Sequence, residues 1–121
     1  MSKDISYIHS NKLAIPNKLY YGKDGVYIGL STGRLKKLDN HNNTTVITSN
    51  NEILNKKFYY DDLDNIVLIE EYKNSTLQKS KQLFYDSSGN VEKISVSGNE
   101  SYIKELKYDS SGNLTNINIL K

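Results

Sequence analysis

KQLFYDSSGNVEKISV, residues 81–96, and KELKYDSSGNLTNINI, residues 104–119, are one phrase written twice at an offset of 23. Lys81, Leu83, Tyr85, Asp86, Ser87, Ser88, Gly89, Asn90, Val91, Ile94 and Val96 return as Lys104, Leu106, Tyr108, Asp109, Ser110, Ser111, Gly112, Asn113, Leu114, Ile117 and Ile119. In each copy an alternating segment runs into Tyr-Asp-Ser-Ser-Gly-Asn and a second alternating segment leaves it, the pattern of two strands joined by a tight turn. Asp86 and Asp109 are expected to accept hydrogen bonds from turn amides. Gly89 and Gly112 are expected to take the positive φ of a type I turn closed by a bulge. After the turn the apolar residues fall at 91, 94 and 96 and again at 114, 117 and 119, so the alternation slips once at the same place in both copies. A β-bulge fits that slip. Lys81 and Lys104 share a face with apolar neighbours and are expected to lay their stems along it.

A third, weaker copy lies upstream in KKFYYDDLDNIVLIEEY, where Lys56, Phe58, Tyr60, Asp61, Asn65, Ile66 and Ile69 match Lys81, Leu83, Tyr85, Asp86, Asn90, Val91 and Ile94 at an offset of 25. Asp64 stands where the turn glycine would be, and Asp tolerates the left-handed region better than most side chains. Three hairpins make six strands. Nearer the start, IPNKLYYGKDGVYIGLSTGRLKKLD reads as a strand over Leu19, Tyr20 and Tyr21, a turn at Lys23, Asp24 and Gly25, and a return through Val26, Ile28 and Leu30. Ser31, Thr32 and Gly33 then turn into Arg34–Leu38, a compact three-stranded meander. Ser6, Tyr7, Ile8 and His9 form at best a short strand or arm. Residues 39–43, Asp-Asn-His-Asn-Asn, read as a loop and the best internal boundary, followed by a β-branched strand over Thr44–Ser49. Ser49–Glu52 resembles a helix start with room for a turn or two.

The expected architecture is therefore all-β: a small N-terminal three-stranded meander followed by an antiparallel meander of repeated hairpins. At 121 residues it is expected to be one domain, residues 1–121, with sub-parts 1–39 and 44–121. Apolar content is 36%, with ten Tyr, two Phe and no Trp, so the core must use aliphatic residues and tyrosine faces. A thin core of that kind favours burial against a partner. The net charge of +2 hides a gradient, seven basic and two acidic groups in residues 1–38 against three and seven in residues 39–75. The opening residues lack a signal-peptide profile, and no run approaches a membrane span, so synthesis in the cytoplasm and no membrane association are expected.

No cysteine is present, which excludes disulfides, thiolate metal sites and a thiol nucleophile. Asp61, Asp62 and Asp64 with Glu70 and Glu71 have oxygen enough for calcium but lack EF-hand spacing, and a solvated acidic turn is the preferred reading. His9 and His41 have no second ligand at metal spacing. The glycines 22, 25, 29 and 33 lack the helix and Lys-Ser/Thr pair of a phosphate loop. Tyr20, Tyr21 and Tyr27 with Lys18, Lys23 and Arg34 come closest to a nucleic-acid surface, and core or interface tyrosines explain them better. No catalytic residue, cofactor, metal, nucleic acid or small-molecule substrate is expected.

YDSSGNVEKI and YDSSGNLTNI resemble the YD repeat of large bacterial shell and toxin-carrying proteins, which implies successive hairpins in a long β-sheet. The segment at residues 15–38, with its Gly22–Gly25 and Thr32–Gly33 turns, is similar to segments of accessory head, neck and fibre proteins of tailed bacteriophages. That resemblance implies a non-enzymatic virion protein binding copies of itself or neighbouring virion proteins, with Tyr20, Tyr21, Tyr27 and Arg34 in the docking part. The other expectation is a free-standing bacterial YD-repeat-like module recognising a glycan or protein surface, with Tyr85, Tyr102 and Tyr108 stacking on its ligand.

Overall fold

A computed structural model of the chain describes residues 4–5 and 13–121. Its strands follow from its turns. Asp86 Oδ1 accepts from the amides of Ser88 and Asn90, both at 2.9 Å, and Asp109 Oδ1 accepts from Ser111 and Asn113 at the same distance. Asp61 Oδ1 does the same with Leu63 and Asn65, at 2.9 and 3.0 Å. In all three, the residue three places after the aspartate donates its amide to the aspartate carbonyl. That residue has a left-handed backbone: Asp64 at φ 62°, Gly89 at 88° and Gly112 at 87°. The weak copy thus folds into the same turn as the strong ones, with an aspartate carrying the strained position.

The chain divides into two compact units, Met1–Asn40 with Tyr60–Asn65, and His41–Tyr59 with Ile66–Lys121. The first holds β1 (Asp4–Ile5), β2 (Leu19–Gly22), β3 (Gly25–Gly29) and β4 (Leu35–Lys37), hydrogen-bonded in the order β1-β4-β3-β2. The expected meander is present, and β1 adds a fourth strand by pairing Asp4 with Lys36 and Ile5 with Leu35. The expected arm at Ser6–His9 lies outside the described residues. Ala14, Tyr27 and Leu35 form the buried cluster, with Tyr20 packed against it.

The second sheet runs β5 (Asp39–Ile47), β6 (Ile53–Tyr60), β7 (Ile66–Lys73), β8 (Thr76–Tyr85), β9 (Val91–Gly98), β10 (Tyr102–Tyr108) and β11 (Leu114–Leu120), each strand antiparallel to the next wherever its register is resolved. Its order is the chain order, so β5 and β11 are its two edges. Two bulges sit where the apolar alternation slips: Phe84 pairs with Lys93 and Tyr85 with Val91, leaving Glu92 over, and Thr115 is left over in the same way; a further one leaves Gln78 over between β7 and β8. Successive hairpins are stitched by the repeated tyrosine. Tyr85 Oη donates to the Ile66 carbonyl at 2.5 Å and Tyr108 Oη to the Val91 carbonyl at 2.7 Å, each reaching the residue that leaves the preceding turn.

Two local expectations are corrected. Residues 39–43 are not a loop but the first half of β5, which bends its extended backbone at Asn42, φ 57°. Pairing along the sheet edge overrides the turn preference of Asp and Asn. Nor does a helix begin at Ser49: Thr48 and Glu52 close a turn, the Glu52 amide donating to Thr48 Oγ1 at 3.1 Å, and β6 starts at Ile53.

Candidate interaction surface

The four residues expected in the docking patch are divided by the fold. Tyr20 and Tyr27 are cross-strand partners on β2 and β3. Tyr27 is 8% exposed, and its hydroxyl donates to Asp24 Oδ2 at 2.8 Å, so it is a core residue and offers a partner nothing. That bond, with lesser help from Lys37, holds the Asp24 carboxyl below the usual carboxylate range, and the same bond pushes the Tyr27 hydroxyl up. Tyr20 is half-buried, and its hydroxyl accepts the Ile15 amide at 2.9 Å. Tyr21 and Arg34 are exposed, Tyr21 at 63%. The accessible part of the expected patch is therefore Tyr21 and Arg34, with Leu13 and Ile15 also exposed in this unit.

In the hairpin sheet the register sorts side chains onto two faces, because directly paired residues point the same way. Ile69, Lys81, Val96 and Tyr102 form one cross-strand row, and Leu83, Ile94, Lys104 and Ile119 form the next. Leu106 with Ile117 and Tyr108 with Leu114 extend the same face across the last hairpin. The opposite face mixes apolar and polar residues: Leu68, Gln82, Ser95, Ile103 and Leu120 form one row, and Phe84, Lys93, Glu105 and Asn118 form the next. Lys81 and Lys104 stand in the apolar rows half-buried, as expected, with the Lys81 ammonium 3.2 Å from Glu71. Burial along the apolar face falls steeply toward the edge: Val96 is 3% exposed, whereas Leu114, Ile117 and Ile119 are 48, 49 and 53% exposed.

The acidic groups are occupied by structure. Asp61 holds its turn, and Asp62 pairs with Lys36. Glu70 corrects the expectation of a solvated acid: it is 4% exposed and accepts from Tyr59 Oη at 2.8 Å and Tyr72 Oη at 3.0 Å. The signal was present in the alternation of Leu68, Glu70 and Tyr72, which places Glu70 on the face of the fully buried Leu68. A depression of about 640 Å³ lies between the second and third turns, lined by Asp86, Glu92, Lys93, Glu105, Lys107 and Asp109. Its two aspartates are the turn residues. Asp109 is held below the usual carboxylate range by the amide of Asn113 first, then by the Asn113 side chain and the amides of Ser111 and Gly112. Among the described residues no three His, Asp or Glu side chains are grouped to hold a metal ion. The hydroxyls of Tyr85 and Tyr108, expected at a stacking surface, are used within the sheet.

What the arrangement offers is surface for association: an open sheet whose last strand is exposed on both faces and along one edge. Comparison with protein-family models, with curated proteins and with solved structures finds no match to this chain.

Proposed function

We propose that the chain is a non-enzymatic assembly protein of a tailed-bacteriophage particle, acting by binding copies of itself or a neighbouring virion protein through exposed sheet surface. The observation that carries the association part is the half-exposed apolar row Leu114, Ile117 and Ile119 on a strand with a free edge. Unpaired strand amides and carbonyls beside exposed aliphatic side chains are a template for strand addition. The virion part is supported by the resemblance of residues 15–38 to phage structural segments and by the hairpin repeat, which builds extended sheet from little sequence. The test is quantitative mass spectrometry of purified particles from the source of the sequence. A fixed copy number per particle is expected. Absence from particles overturns the reading and favours the bacterial module recognising a glycan or protein surface.

A further inference from the structure

We infer that β11 is a self-pairing edge: two copies of the chain associate antiparallel, β11 to β11, into one continuous sheet. This rests on the association part of the reading above and names its partner and register. Two observations single out this edge. Every strand from β6 to β10 carries at least one lysine, whereas Leu114–Leu120 has no charged residue, so β11 lacks the charge that commonly protects an edge from strand addition. Both edges are exposed along their whole length, β11 as well as β5, so charge and backbone shape decide between them. The other edge, β5, is blunted by the left-handed Asn42 within it and carries Asp39 and His41.

The partner that fits is a second copy, because charge and face agree. An uncharged strand opposite its own copy brings no like charges together. Antiparallel partners must share a face, and Ile117 and Ile119 lie on the apolar one. The register that pairs apolar with apolar sets Ile117 of each copy opposite Ile119 of the other, with Asn118 opposite Asn118 on the two-fold axis. The two apolar faces then lie on the same side and continue the rows that end at Leu114, Ile117 and Ile119. Such an isologous contact closes at two copies.

Sedimentation velocity of the full chain up to roughly 100 µM should show a reversible monomer–dimer equilibrium. Ile117→Lys with Ile119→Lys places lysine opposite lysine at both apolar pairs, and should weaken the dimer by about tenfold or more. Ile117→Glu with Ile119→Glu should do the same, and mixing the two variants should restore a dimer containing one of each. Unchanged thermal melts show that both variants fold, since the substituted side chains are exposed. As a check on register, Asn118→Cys should form a disulfide-linked dimer under mild oxidation. A monomeric wild type, or charge variants that dimerise like the wild type, overturns the inference. A monomer present at fixed copy number in particles would sink this edge and leave the assembly reading standing; a β11 dimer absent from particles would do the reverse.

Discussion

At the scale of single residues the turns separate two costs usually mixed, lost space and strained backbone. A Cβ added at Gly112 meets nothing within 4 Å, yet its φ of 87° is one that side chains resist. The first turn places Asp64 at the matching position with φ 62°. Gly112→Val should therefore destabilise the chain by about 1–2 kcal/mol through backbone strain alone, and Gly112→Asn by clearly less. Equal denaturation midpoints for Val and Asn would show that the turn relaxes around any side chain. Asp109 gives the pH counterpart. Amides of the turn depress its pKa, so its contribution is fully present above the ordinary unfolded value of about 3.9 and is lost as pH falls through the lower folded value. By NMR the Asp109 carboxyl should titrate below that reference, with the Ser111 and Asn113 amide shifts following at the same midpoint. Titration at or above the reference would mean the turn amides do not hold it in solution.

At the scale of elements Tyr27 and Tyr21, on adjoining strands, behave differently, and so should their variants. Tyr27 is buried and bonded to Asp24, whereas Tyr21, which follows its cross-strand partner Tyr20 and pairs with Val26, is 63% exposed. Tyr27→Ala should cost about 3 kcal/mol or more by opening the Ala14–Leu35 cluster, and Tyr21→Ala should lie within about 0.5 kcal/mol of wild type. Thermal melts of the two variants decide it, and similar losses would mean Tyr21 is buried in solution. Sequence could not separate these residues, since both read as strand tyrosines and only the pairing of Tyr20 with Tyr27 puts one inside. The hairpins were legible for the opposite reason. Their signal is local: an aspartate, a left-handed position three residues on, and an alternation that slips once for the bulge. β5 was misread because its first residues are Asp, Asn and His, whose local preference is for turns, while what makes them a strand is pairing with β6. Glu70 was misread likewise, because Tyr59 lies eleven residues away and only the hairpin brings its hydroxyl to the carboxylate.

At the scale of the sheet, chain order and strand order coincide, so every strand depends on its immediate neighbours. Such a sheet behaves as a line of coupled units, and its local stability should follow burial along that line. Leu68 on β7 is completely buried and Val96 on β9 nearly so, whereas β11 is exposed throughout. Amide exchange in dilute solution should therefore be slowest at β7 and β8 and fastest at the two edges, β5 and β11, both exposed throughout. Within β11, amides donating to β10 should outlast those pointing outward, which have only water as partner in a monomer. Raising the concentration into the dimer range should slow the outward amides most, since these bond across the two-fold axis, and leave β7 unchanged. Uniform protection from β7 to β11 at dilution would mean that the sheet opens only as a whole. A concentration effect on β5 in place of β11 would move the pairing edge to the other side of the sheet.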